Sequence, residues 1–429
     1  MILDDAGERC VVFTHKTGLR VLFAPKDFHS SYALLGVRFG SFFEKCLVDG
    51  EPLDLPDGTA HFLEHKLFAN EDGEDTYVKF ARTGAYANAY TYFDQTCYLF
   101  SAPDRLEESL EILVNSVFSP CFTDENVKKE KPIILEELKM YRDDPFDRMI
   151  SAVNRKMYKD HRLTRDIIGT ASSVRSVRKE DLQKAYDLFY VPSNMILCLA
   201  GRFDLEKVKE LLDRCVPQTG RKAPEIRPAL PERFEDRCPV KRGKICKDVP
   251  LPAAFIGVKC PKAGKDGTEL FDRFNAMSVI AGELFSEASD YVSSLKKAGL
   301  LLSDPSFEVT HGRNYSRILF SACTNDPEKV LDLFDDALAK LMNKGVKEEN
   351  LIRGKKLLWA EFLEQFNSCE GTATRYFSDA LEDLYTPAVG ERIFALDAAA
   401  VDRTAKEILA PGRICRFAVY PLAMKGAKK

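Results

Sequence analysis

The sequence predicts an α+β protein made of two related domains. Three observations carry that reading. The chain has 429 residues, more than a usual single domain. A β-rich stretch followed by helical patterns occurs once in each half. Between the halves, residues 217–239 (PQTGRKAPEIRPALPERFEDRCP) concentrate proline and charge with few persistent apolar positions, the composition of an ordered extended connector or a mobile linker.

The elements follow in chain order. Residues 11–24, VVFTHKTGLRVLFA, read as a hairpin, because two β-rich runs flank the turn residues Lys16, Thr17 and Gly18. Residues 32–40 form a second strand candidate. The turn signal Pro56-Asp57-Gly58 precedes a helix that carries TAHFLEH at 59–65. Residues 84–100, GAYANAYTYFDQTCYLF, switch to a β-rich pattern of aromatics and threonine. Amphipathic spacing then predicts helices over 104–116 and 123–143, the second despite Pro132. The later half repeats the order, with strands at 252–259 and 315–323 and helices at 268–298, 327–344 and 348–365. The boundaries read as 1–216 for a first α+β domain, 217–239 for the connector and 240–429 for a related α+β domain. The repeated order suggests duplication.

Composition narrows the function classes. With 45% hydrophobic and 30% charged residues the chain can build sizeable cores. Its 62 basic and 66 acidic residues leave a formal charge of -4, unlike the broad basic surface of a nucleic-acid binder. Arg353, Lys355 and Lys356 in LIRGKK read as a helix surface. No P-loop or Rossmann fingerprint opens a strand–helix unit. The start MILDDAGERC lacks a signal-peptide pattern, and no apolar stretch is long enough for a bilayer, so the expected setting is cytoplasmic with no membrane partner. Twelve cysteines are dispersed without a CxxC pair, and Cys198, Cys260, Cys323 and Cys415 lie in apolar strand-like surroundings. They read as reduced core thiols, not a disulfide scaffold.

His61-Phe62-Leu63-Glu64-His65 carries the chemistry. On a helix, positions 61 and 65 lie one turn apart on one face, so their imidazoles can converge on a zinc ion. Two of only six histidines fall in this segment. Glu64 can point into the same cleft without ligating, activate water at the zinc and pass the proton to a leaving amine. HxxEH is the inverted form of HExxH. A catalytic site needs a further protein ligand and an open position. On the helix at 128–143, Ile133, Ile134, Leu138 and Tyr141 are expected on one apolar side, with Glu130 and Glu137 in the same sector. Helix phase favours Glu137 as the third ligand, with Glu136 the alternative. Glu130 could hydrogen-bond a ligating histidine or position water.

GTAHFLEHKLF at 58–68, GAYANAYTYFDQTCYLF at 84–100 and EKPIILEELKMYRDDP at 130–145 resemble the pitrilysin, or insulinase, metallopeptidase family, called M16. With the repeated organisation, the resemblance covers most of the chain. It implies two related domains, each an antiparallel-rich sheet packed by helices. It also implies zinc (Zn2+) bound by His61, His65 and Glu137, Glu64 as general base and later proton donor, and Glu130 in support. The expected activity is hydrolysis of internal bonds in peptides or flexible, unfolded protein segments.

The resemblance further implies that the strand around Ala87, Asn88, Ala89 and Tyr90 pairs with an extended peptide by β-addition. Small Ala87 and Ala89 permit close approach, and Asn88 can orient the scissile backbone. An Arg-to-Tyr pair common in the family's noncatalytic half falls here on Leu295 and Leu302. Arg313 and Tyr315 are nearby alternatives at the wrong spacing, equally readable as strand-surface residues. This departure favours a related second subunit, a heterodimer ahead of a homodimer. It also keeps open a noncatalytic or zinc-stabilised peptide-binding subunit.

Overall fold

The computed structural model describes residues 2–3, 7–68, 74–159, 161–228, 237–261, 266–312, 315–384 and 389–422. The chain opens with β1 (Ile2–Leu3), β2 (Arg9–Thr14), β3 (Arg20–Pro25) and β4 (Ser31–Val37). Strands β5 (Lys45–Val48) and β6 (Glu51–Asp54) lead to α1 (Thr59–Leu67) and α2 (Thr76–Thr83). After β7 (Tyr86–Thr91) and β8 (Thr96–Ala102) come α3 (Leu106–Phe118), α4 (Asp124–Asp143) and α5 (Pro145–Met157). Helices α6 (Ala171–Ser176) and α7 (Lys179–Phe189), strand β9 (Met195–Gly201), helix α8 (Leu205–Cys215) and β10 (Ile226–Pro228) end the first half.

The second half contains β11 (Arg242–Lys247), β12 (Ala253–Lys259), α9 (Gly267–Phe285) and α10 (Asp290–Lys297). It continues through β13 (Ser306–Gly312), β14 (Tyr315–Cys323), α11 (Pro327–Lys344), α12 (Glu348–Glu364) and α13 (Cys369–Leu381). Helices α14 (Val389–Ala395) and α15 (Ala398–Ile408) precede β15 (Ile414–Pro421). The expected helix over 268–298 is therefore two helices. Ser286 turns extended (ψ 157°) and ends the first, and Ser289 caps the second by accepting the N–H of Val292 at 3.1 Å.

The β2–β3 hairpin forms around Gly18, whose φ of +95° suits glycine, with the His15 N–H donating to the Leu19 carbonyl at 2.8 Å. One sheet has the order β1-β2-β3-β9-β4-β8-β7, and another the order β11-β15-β12-β14-β13. In the first, β3 runs parallel to β9, and β9–β4, β4–β8 and β8–β7 are antiparallel. In the second, β11 is parallel to β15, and β15–β12, β12–β14 and β14–β13 are antiparallel. Among the described residues, two α-helices lie between β4 and β7 and two between β12 and β13, while five lie between β8 and β9 and five between β14 and β15. Five strands of each sheet thus share one topology, and the protein is α+β with two related sheets packed by helices.

The compact units are not contiguous in sequence. One comprises residues 1–140, 165–232 and 362–383, the other 141–164, 233–361 and 384–429. They differ from the contiguous division 1–216, 217–239 and 240–429 in the placement of α5 and α13. Helix α13 packs its buried Ala373, Phe377 and Ala380 on β4 and β9, while α5 packs Met149, Val153 and Met157 on β12 and its neighbours. A glycine receives each helix. A Cβ on Gly36 would collide with the Phe377 ring, and one on Gly257 would lie 2.9 Å from the Met157 sulfur. Within the connector, Ile226–Pro228 form strand β10, with Ile226 paired to Val48.

Two side-chain expectations on α4 change. Ile134 and Leu138 are buried as the helical period requires, but Ile133 and Tyr141 are exposed. They sit off the narrow stripe that faces the core. All twelve cysteines are free thiols, with Cys198, Cys260 and Cys415 buried and Cys323 half-buried. Among the described residues no helix is long and apolar enough to cross a membrane.

Candidate active site

Helix α1 begins where Gly58 adopts φ +92°, a conformation glycine tolerates. Its N-terminus is capped from a distance. Glu44, fully buried in the 3-10 turn Ser41–Glu44, accepts the N–H groups of Gly58 at 2.9 Å and Ala60 at 3.1 Å. A carboxylate there satisfies free backbone donors and suits the positive end of the helix. With the start fixed, His61 and His65 lie one turn apart, ring centroids 4.7 Å from each other and the rings tilted by 51°.

Helix α4 brings the carboxylates. The Glu137 oxygens lie 3.5 Å from His61 Nε2 and 3.3 Å from His65 Nε2. Ligand atoms of His61, His65 and Glu137 all fall within 4.8 Å of one another. Glu136 points to solvent, paired with Lys139 at 2.5 Å. Glu130, two turns before Glu137, accepts from His65 Nδ1 at 3.1 Å through one oxygen and from Lys66 Nζ at 3.2 Å through the other. Glu64 stands apart from the three-residue cluster and receives a 2.5 Å hydrogen bond from Thr91 Oγ1.

The electrostatics separate these carboxylates. Burial pushes Glu64 above the ordinary carboxylate value, against the opposing influence of His61, the Thr91 hydrogen bond and His65. Burial also acts to raise Glu137, but hydrogen bonds from His61 and His65 hold it well below the usual range. Burial likewise opposes ionisation of Glu130, and His65 and Lys66 outweigh it and lower the value. For His65, burial is overcome by Glu130, Glu137 and the Glu64 charge, and the imidazole is raised to about 9.

The residues fit a zinc ion. Two imidazole nitrogens and a carboxylate oxygen are the donor types of a catalytic site with three protein ligands. Ionised Glu137 and the convergence of both Nε2 atoms on it match that donor set. His61 Nδ1 is buried with no hydrogen-bond partner among the described residues.

Strand β7 forms the edge of its sheet, pairing through Ala87↔Phe100 and Ala89↔Tyr98 with β8 alone among the described residues. Ala87 is buried, Ala89 half-buried and Asn88 exposed, its Oδ1 accepting the Ala89 N–H at 2.9 Å. Strand alternation puts Ala87, Ala89 and Thr91 on one face and Asn88 and Tyr90 on the other. Thr91 reaches Glu64, so Asn88 projects away from that carboxylate. In the second half, Leu295 is fully buried and Leu302 exposed. Tyr315 is buried, which removes its reading as a surface residue, and Arg313 lies outside the described residues.

Sequence reasoning missed Thr91, Lys66 and Glu44. The first had a signal in its two-residue spacing from Ala89. Lys66 was visible only as a lysine between the second histidine and Leu67-Phe68. Glu44 reaches α1 from fourteen positions away, and only the tertiary fold reveals it.

The paired α+β sheets and the His/His/Glu cluster define a metallopeptidase-type fold with a candidate metal centre. Residues 21–171 match the family described as Insulinase (Peptidase family M16), and residues 176–358 match the Peptidase M16 inactive domain. The uncharacterized zinc protease YmfH of Bacillus subtilis (strain 168) is 33% identical over 375 residues, 86% of each chain. The chain therefore belongs to the M16 peptidase family. A solved chain described as an M16-like peptidase, from Alicyclobacillus acidocaldarius, is similar with TM-score 0.90 and 28% identity, covering 98% of this chain and 100% of that one. The periplasmic protease PqqL from Escherichia coli has TM-score 0.78 and 18% identity over 98% of this chain and 48% of its own. That last likeness is one of fold, and it corrects the cytoplasmic expectation: the same architecture serves in the periplasm, so nothing in it specifies the cytoplasm.

Proposed function

We propose that the chain is a zinc metalloendopeptidase that cleaves internal bonds of peptides or flexible protein segments. The convergence of His61, His65 and Glu137, with Glu64 beside them but outside the ligand cluster, is the observation that carries this reading. His61, His65 and Glu137 hold the metal. Zinc, when bound, supplies Lewis acidity toward water and the scissile carbonyl. Glu64 takes the proton of the attacking water and returns it to the leaving amine. Burial raises its carboxyl above the ordinary value, which makes its carboxylate a stronger proton acceptor than a solvated one. Thr91 fixes one Glu64 oxygen, and Glu130 orients His65. The peptide adds to the open edge of β7, where Ala87 and Ala89 leave room for its backbone and Asn88 contributes from the opposite face.

Replacement Glu64→Gln keeps the shape of the site and removes the base. Bound zinc should persist while peptide turnover falls by roughly 10²–10⁴-fold. Unchanged turnover would remove Glu64 from this role.

A second reading, a noncatalytic or zinc-stabilised peptide-binding subunit, draws on Leu295 and Leu302, which supply no polar contact to a substrate. In the catalytic reading, a related M16-like subunit brings the complementary residues, in a heterodimer ahead of a homodimer. Metal-dependent cleavage by the natively purified assembly favours catalysis; stoichiometric zinc without cleavage favours the second reading.

A further inference from the structure

Lys66 has no part in the chemistry described so far, yet it sits next to a proposed ligand and is buried. Its side chain is 5% exposed, between Leu67 and the histidines of a helix whose neighbours are Phe62, Leu63 and Phe68. A buried ammonium is costly unless an opposite charge receives it. An apolar residue would fill this position without that cost. The lysine therefore needs a specific partner, and it has one in Glu130, at 3.2 Å.

The Glu130 carboxylate is used at both ends. One oxygen takes His65 Nδ1 at 3.1 Å and the other takes Lys66 Nζ. His65 then presents Nε2 toward Glu137, 3.3 Å away. The order Lys66, Glu130, His65 is thus an unbroken chain of contacts that ends at the metal-binding nitrogen. Without Lys66, Glu130 keeps one anchor, and its carboxylate can rotate about its side-chain torsions. A carboxylate held at two points fixes the imidazole plane more tightly than one held at one point.

We propose that Lys66 is a positioning residue for the metal centre, its buried ammonium pinning the Glu130 carboxylate that orients His65, so that the three act as one unit. This inference rests on the metal-centre reading above. A purely structural ion pair would change the stability of the fold but leave the zinc dissociation constant of the folded protein unmoved.

The test measures that constant by competition with a chromophoric chelator, on the full chain. Lys66→Met, which retains length and apolar bulk, should weaken zinc binding about 10-fold or more, the size expected for an outer-shell partner. Lys66→Arg, which retains the charge, should recover most of the loss. Glu130→Gln should weaken zinc comparably, and the Lys66→Met/Glu130→Gln double variant should be no worse than Glu130→Gln alone. Far-UV circular dichroism of each chelated variant establishes that the fold is kept. Should Lys66→Met itself unfold, the comparison of Glu130→Gln with Lys66→Arg/Glu130→Gln carries the test, since the arginine must then have no effect. An unchanged constant in Lys66→Met, or additive losses in the double variant, overturns the inference while leaving the metal centre intact. A parent chain that binds no zinc overturns the metal-centre reading and this inference together.

Discussion

Thr91 Oγ1 donates to Glu64 Oε2 at 2.5 Å and joins the last residue of the edge strand to the carboxylate proposed as the base. That contact couples the strand proposed to hold the peptide to the group that would act on it. It also lowers the Glu64 carboxyl, against the larger upward effect of burial. Thr91→Val removes the donor at nearly constant volume. Glu64 should then protonate at higher pH, and the acid limb of the kcat/KM profile should move upward, with turnover at neutral pH down by about tenfold. Thr91→Ser should restore both. A profile that stays in place would mean that Thr91 does not tune Glu64.

Glu137 and Glu136 are neighbours in sequence with opposite fates. The first faces both histidines and the second is salt-bridged to Lys139 at the surface. Glu137→Gln should weaken zinc by at least 10–100-fold, since it removes a charged ligand, whereas Glu136→Gln should leave the constant within error. Isothermal titration of the two variants decides between them. Equal losses would contradict the assignment by helix phase.

The metal-free chain should show a pH-dependent stability that the zinc-loaded chain lacks. His65 is raised from 6.5 to about 9, so between those values the folded chain holds a proton that the unfolded chain has released. Its contribution is fully present below about 6.5 and is lost as pH rises through about 9. Glu137 has the opposite sign. Its depressed carboxyl contributes above the ordinary carboxylate range and loses that contribution on acidification. The Tm of chelator-treated protein should therefore fall by several degrees on the alkaline side. Zinc keeps His65 deprotonated and should remove that fall. Parallel Tm curves for both preparations would count against the His65–Glu137 pairing.

Gly36 tests the exchanged helix. A methyl group there collides with Phe377 of α13, so Gly36→Ala should destabilise the protein by about 1–3 kcal/mol, read from urea unfolding. Adding Phe377→Leu should recover part of the loss by opening space, a non-additive result expected of residues in contact. Full additivity would mean that α13 does not lie on β4.

Much of the site could be read directly from the residues. His61 and His65 are four apart, and helix geometry alone puts them on one face; Glu130 and Glu137 are seven apart, two turns of one helix. Local rules also placed α1, α4 and the β-rich stretch 84–100 that holds β7 and β8, because each carries its own periodicity. The failures were of another kind. Ile133 and Tyr141 fall in the apolar sector of α4 and are nonetheless exposed, since burial depends on what lies opposite a helix and not on its own pattern. The break at Ser289 was hidden in a region that is helical on either side of it.

Sequence order alone yielded the α+β class, the duplicated pattern and the HxxEH helix, all properties set by neighbours within a turn or two. Tertiary structure decided which half each helix serves. It sent α5 and α13 to sheets of the opposite half, where Gly257 and Gly36 make room for them. It also brought Glu44 to the start of α1, Thr91 to Glu64 and Lys66 to Glu130. Each of these polar contacts joins residues from different elements in a buried setting. Desolvation makes such groups costly until a partner arrives, and only the folded chain supplies the partner.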